Sequence, residues 1–400
     1  MVWPGMLAGI GCWSVNEGIT YYVSKVPNNV STARAVAVLL SLITAIPGVI
    51  FFLIVFAKMA PDKLAPNTSL VQCYACFFIP FSYLSMNILA VEQGKQNFAT
   101  FNLYKLLQPA LYCAALAVVW TAAIKTVQAA LVAVLASIVI SAVARLAGCL
   151  GEMSLQNASS TMRLVARQSA TFHLLNVFGY ISNTLDQAFL ALIASNQDLG
   201  YYVVATSTAS AALSVLLQTQ QTILFPRIAG ALGVFEAKNE ISAGIKRTSV
   251  WLTLALFPAL LLIPILMPIL YGAAFNPAIP LALILAVGNF PKAMRGVVGF
   301  CLKGTGTIMP QIGSEIAYVA VILSCGWHLY SGLRLLGIGI LILVANTASL
   351  GVLGYYIQRR YKLSLIQMMR FNLIHDSLRQ LRLVFSVFRN AGEEKASGNT

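Results

Sequence analysis

The sequence predicts an all-α polytopic membrane protein, and three observations carry that reading. Hydrophobic residues make up 58% of the 400 and charged residues only 10%, with a mean hydropathy of +0.80. A soluble fold covers its surface with about 25% charged residues, so this composition cannot furnish one; disorder and small disulfide scaffolds are excluded by the same figures. The apolar residues form continuous runs of about 20, the length that crosses a bilayer as a helix, not the alternating ~10-residue strands of a membrane barrel. Finally, 26 basic against 12 acidic side chains give a net charge of +14, and the excess gathers in alternate connections, as oriented helices require. Nucleic acid is not needed to explain it and is not an expected partner; membrane lipids are.

Eleven spans are expected, at 3–24, 35–57, 70–91, 101–124, 127–147, 169–194, 200–224, 248–271, 277–301, 309–329 and 335–357. The first has a small-residue packing face at Gly5-xxx-Gly9 and a short polar face of Glu17, Thr20 and Ser24 beside Asn16. It follows Met1-Val2-Trp3-Pro4-Gly5, which lacks the basic region of a cleavable signal peptide. The third carries Cys73-xx-Cys76, read as packing because no His or Cys joins it. The ninth runs through Asn289-Phe290-Pro291-Lys292-Ala293-Met294-Arg295, where the proline frees a carbonyl and bends the helix. Glu315 is placed at the cytoplasmic entry of the tenth, and Lys303 among the ordinary positive-inside anchors.

A last apolar stretch, 363–389, differs. Ile374, Leu378, Leu381, Phe385 and Phe388 share one face, with His375, Arg379, Arg382 and Arg389 on its flank. This is expected to be a C-terminal amphipathic helix lying in the interface, with a disordered tail from Ala391 to Thr400.

Summing charge over alternate loops gives +15 for one set and +2 for the other, with −3 inside the spans. The positive set, which includes the tail, is expected in the cytoplasm. An odd number of spans then leaves Met1 outside. A weak internal repeat bears on this: Ser41 to Pro47 resembles Trp251 to Pro258, with a proline in mid-span each time, at an offset of 211 residues. On that offset the helix at 169–194 has no partner after Met1, so the chain is expected to begin one helix late. The expected domains are an N-terminal lobe at 1–158 with about five helices, a C-terminal lobe at 159–360 with about six, and a cytoplasmic segment at 361–400. Parallel repeats about an axis along the membrane normal are a known transporter design.

Polar groups inside spans must face a partner or a wet cavity. His173, Asn176, Tyr180, Asn183 and Gln187 fall at 0, +3, +7, +10 and +14, one stripe of a helix turning about 100° per residue. Ser207, Ser210, Ser214, Gln218 and Gln221 repeat the pattern on the next helix. The serines suit interhelical packing; the large amides are more than packing needs and point to an aqueous central cavity lined by His173, Asn176, Tyr180, Asn183, Gln187, Ser214, Gln218 and Gln221. Asp186 and Glu17 are candidates for ion coupling, since burial raises a carboxyl pKa toward neutrality; a permanently paired structural acid is the alternative. Arg34, Lys292 and Arg295 are candidate contacts for a phosphate-bearing headgroup.

Three dispersed histidines make no metal site, and no nucleotide loop or hydrolase motif occurs. Catalysis is not expected, nor any cofactor or metal; energy would come from ion or substrate gradients.

The stretch Phe178 to Asp186, then Leu199 to Ala205, Leu224-Phe225-Pro226-Arg227, Leu266 to Phe275, Lys303-Gly304-Thr305-Gly306 with Pro310, and Leu336-Gly337-Ile338 resemble the bacterial polysaccharide and oligosaccharide flippases of the superfamily that also holds the multidrug and toxin extruders. The resemblance runs from about Gly5 to Tyr356. It implies two pseudo-repeated lobes around a central cavity open alternately to each side, and the flipping of an undecaprenyl-diphosphate-linked oligosaccharide across the bacterial inner membrane for surface or exported polysaccharides. It also implies a polysaccharide polymerase and glycosyltransferases as partners. On this resemblance the family's first helix, which lines the cavity, has no counterpart in the sequence. A multidrug or cation antiporter of the same superfamily would want a more acidic, aromatic cavity; a polymerase would need a large periplasmic loop; an inactive membrane scaffold is the third alternative.

Overall fold

The structure is a computed structural model describing residues 11–59, 68–122 and 126–369. Gly5, Gly9, Lys125 and most of the expected C-terminal amphipathic helix, including Ile374, His375 and Arg379, lie outside the described residues, as does the tail from Ala391.

The described chain is helical throughout. In order it forms α1 (Val15–Lys25), a 3-10 turn (Pro27–Asn29), α2 (Val30–Met59), α3 (Thr68–Gly94), α4 (Phe98–Thr121), α5 (Val127–Leu150), α6 (Ala158–Ile193), α7 (Asn196–Ala229), α8 (Val234–Tyr271), a second 3-10 turn (Ala273–Ala278), α9 (Ile279–Gly304), α10 (Met309–Tyr361) and the short α11 (Leu365–Met369). The 53-residue α10 is two spans in one: Arg334 has left-handed φ of 52° and breaks it between the tenth and eleventh expected segments. Gly337 follows at once, where a Cβ would lie 2.1 Å from the Leu329 carbonyl oxygen, so only glycine closes that turn. Over the described residues, every expected span thus falls on a helix or an arm of one, the first of them from Val15 onward. Six helices are long and apolar enough to cross a membrane by length and hydropathy alone; the bent pair Asn196–Ala211 and Leu213–Ala229 makes a seventh.

Two local expectations are corrected. The connections at 145–168 and 225–247 are largely helix: α6 begins at Ala158 and α8 at Val234. Hydropathy marks where lipid contact ends, whereas a helix made of good helix formers continues into water. The first span is also not continuous. Trp13 and Ser14 are both left-handed, with φ of 51° and 54°, and the turn is held by Val15 N donating to the Cys12 carbonyl at 3.1 Å. Two consecutive non-glycine residues in that region are strained.

The chain divides into two compact units: 1–180 with 225–232 and 303–308, and 181–224 with 233–302 and 309–400. In the first unit, Val15, Ile19 and Val23 pack with Val36, Leu40, Val91 and Val165. Gly18 sets how closely α1 meets α6, since a Cβ there would lie 2.1 Å from Ser169 Oγ and 2.9 Å from the Val165 carbonyl. Burying these aliphatic side chains in a lipid-embedded protein yields packing contacts rather than transfer from water. In the second unit, Leu190, Tyr202, Ala205, Ile263, Met267, Leu281, Ile322 and Leu341 form the core.

Candidate functional site

The close approach at Gly18 places its neighbour Glu17 against α6. Asn176 donates Nδ2 to Glu17 Oε2 at 2.9 Å and to Ser14 Oγ at 2.8 Å. From the end of α9, Lys303 ion-pairs with Glu17 and donates to Asn176 Oδ1 at 3.4 Å. Gly304 lets that end come close, because a Cβ there would lie 2.9 Å from Ile228 Cβ and 3.1 Å from the Phe225 carbonyl. The ammonium sits 5.0 Å from the Phe172 ring centroid and 5.9 Å from that of Phe225, within cation–π range. His173 stacks on Trp13, centroids 5.4 Å apart and planes at 15°. All these residues belong to the first unit.

The second unit holds a separate buried network. Asp186 accepts from the Tyr202 hydroxyl and, through Oδ1, from the Gln187 amide at 2.8 Å. Arg295 pairs with Glu315 at 3.4 Å, donates to Ser349 Oγ at 3.1 Å and lies 4.9 Å from the Tyr318 ring centroid. Ser182 donates to Glu315, and Ser314 and Ser349 bond each other. Half-buried Lys292 lies within the fields of Asp186, Arg295 and Glu315. Two acids and two bases here balance, which is what burial of charge requires. Glu315, expected at a helix boundary, is instead buried at 6% exposure.

Arg34 is buried between Glu92, at 3.2 Å, and Glu152. Lys95 and Asn97 add to Glu92, and Thr32 donates to the Gln156 carbonyl at 3.0 Å. The guanidinium therefore anchors the connection after α5. Arg145, also buried, donates through its two terminal nitrogens to Ser85 and to the Tyr104 carbonyl.

Asn176, Asn183 and Gln187 on α6 are left uncovered by protein, as are Ser214 and Gln218 on α7; His173, Tyr180 and Gln221 are partly covered. The buried line of α6 runs instead through Val165, Ser169, Phe172, Leu175, Ser182, Asp186 and Leu190. Leu174, Val177 and Ile181 form a different uncovered side. The hydrophilic stripe is thus a side of α6 distinct from both its packing side and its apolar side. Within the first unit the structure brings His173, Asn176 and Glu17 together, and within the second Asp186, Lys292 and Arg295; Arg34 pairs instead with Glu92 and Glu152. Lys303 and Ser14 were missed. The signal for Lys303 was the glycine directly after it, which marks a close approach; nothing local announces the turn at Ser14. Among the described residues, no three His, Cys, Asp or Glu side chains gather to hold a metal.

The sequence model of the polysaccharide biosynthesis protein family matches residues 19–280. The chain belongs to this family. Its fold is shared with solved transporters. A crystal structure of a MATE in complex with MaD5 superposes with a TM-score of 0.75 at 15% identity, over 90% of this chain and 87% of the other. An outward-facing multidrug resistance MATE family transporter of the MOP superfamily gives 0.72 at 14%, over 92% and 88%. The Vibrio cholerae MATE transporter VcmN in its bent form gives 0.67 at 14%, over 91% and 87%. At these identities the likeness is one of fold. Curated protein sequences give no match. The sequence match thus gives the family, and the superposition gives a fold shared with MATE transporters.

Proposed function

We propose that this protein moves a lipid-linked oligosaccharide, carried on undecaprenyl diphosphate, from the inner to the outer leaflet of the bacterial inner membrane by alternating access. One observation supports this most: the amide-rich side of α6, with Asn176, Asn183 and Gln187 uncovered by protein beside an equally uncovered apolar side. Polar side chains left uncovered by protein within a span mark a water-filled cavity or a substrate path, and a saccharide offers both donors and acceptors along its length. The family's role in polysaccharide biosynthesis fits such a cargo. Basic groups would take the diphosphate as charge-assisted contacts, and the lipid tail would remain in the bilayer. In this reading the C-terminus is cytoplasmic, and glycosyltransferases and a polymerase act before and after the flip.

The test is reconstitution in liposomes with a fluorescent prenyl-diphosphate-linked oligosaccharide. The expected result is protein-dependent accessibility of the label to a membrane-impermeant quencher. Proton- or sodium-driven extrusion of a cationic dye, with no movement of the saccharide lipid, would assign the chain to drug antiport instead.

A further inference from the structure

We propose that Glu17 is an internal stand-in for the anionic headgroup of the cargo: it occupies the Lys303 ammonium at rest and yields it when a phosphate arrives. The inference rests on the lipid-linked saccharide reading above and assigns a residue pair to it.

Three features carry it. The Lys303 side chain is 5% exposed and that of Glu17 15%, so the base sits on the closed side of the pair and the acid on the open side. A buried ammonium must keep an anion beside it; the faces of Phe172 and Phe225 attract it but do not neutralise it. It can exchange one anion for another, but it cannot be left without one. Second, the carboxylate is held by the ammonium and by the Asn176 amide N–H, the same two donor types that a phosphate oxygen accepts from. Asn176 is itself uncovered, so both donors can serve an incoming anion without moving far. Third, Glu17 follows the left-handed turn at Trp13 and Ser14. That strained turn is tied down by the Asn176 bond to Ser14 Oγ, so release of Asn176 frees the carboxylate's own backbone. Arg295 differs in being buried together with its acid, at 6% and 8% side-chain exposure, and Arg34 differs in keeping the buried Glu92 as a second counter-ion beside the exposed Glu152.

The test compares wild type, Glu17→Gln and Glu17→Gln/Lys303→Gln, purified as the full chain in neutral detergent. Farnesyl diphosphate is the prenyl-diphosphate probe and inorganic pyrophosphate the headgroup alone. Neither variant leaves a buried carboxylate unpaired, and the two differ only in the ammonium. Glu17→Gln should bind farnesyl diphosphate about tenfold tighter than wild type, and the double variant about tenfold weaker than wild type, with pyrophosphate following the same order. A structural brace would instead move both variants in the same direction, which overturns the proposal. Wild-type binding with no response to either change overturns it alone and leaves the transport reading standing. No binding of either probe to any of the three overturns both. Displacement of farnesyl diphosphate by an equal amount of phosphatidylglycerol keeps the exchange at Lys303 but makes the headgroup a phospholipid's, and removes the saccharide-lipid reading.

Discussion

Arg295 shows how a charge is kept in an apolar surrounding. Its guanidinium has a carboxylate, a hydroxyl and an aromatic face around it, and the carboxylate has a second donor in Ser182. Removing one member leaves the other buried and uncompensated. Arg295→Met alone, and Glu315→Gln alone, should each cost about 3–5 kcal/mol. The double variant should recover most of that loss, because a neutral amide beside a thioether carries no stranded charge. Thermal unfolding in detergent reads the cycle, and simple additivity of the two single losses would show that the pair is uncoupled. Arg295 stands out in the sequence as an unusual base inside an apolar segment, because it and Lys292, both close to Pro291, contrast with hydrophobic neighbours. The sequence placed Lys303 and Glu315 near segment ends, where charges are ordinary, and so did not single out their partners. What buries them is the approach of another helix, which local hydropathy does not register.

At the scale of helices, glycine placement decides how near two rods come. Gly18 faces backbone on α6 and cannot accept a methyl group without moving that helix. Gly18→Ala should therefore destabilise the protein by about 1–3 kcal/mol and pull Glu17 away from Lys303. Gly351 on α10 has nothing within 4 Å of where its Cβ would stand. Gly351→Ala should raise stability by about 0.4–1 kcal/mol, through a less flexible unfolded chain and better helix propensity. A pair of melting curves checks both, and equal responses would refute the packing account. The spans themselves were legible from their apolar runs. The broken helix at Trp13 and Ser14 was not, since neither residue announces a turn; tertiary hydrogen bonds such as Asn176 to Ser14 hold it there.

At the scale of the whole molecule, the transport reading makes a positional claim about water. The chain has seven cysteines; with these replaced, a single cysteine at Asn183 should react in membranes with a charged, water-soluble thiol reagent. One at Ile181, on the uncovered apolar side of the same helix, should not. Equal protection of both positions would mean that lipid, not water, meets the amide stripe, and alternating access around a wet pathway would fall.

The sequence by itself determined the helical class, the order of the apolar helices along the chain, the break at Arg334 and the family. Each of these depends on residue type and on neighbours within a turn or two, where hydropathy and helical period act. Only the tertiary structure decided which charges face one another. It joined Glu17 to Lys303 from far apart in the sequence, closed Arg34 between two acids, and sank Glu315 beside Arg295. Coulomb attraction falls with distance in space and takes no account of distance along the chain, so those partnerships exist only once the helices have packed.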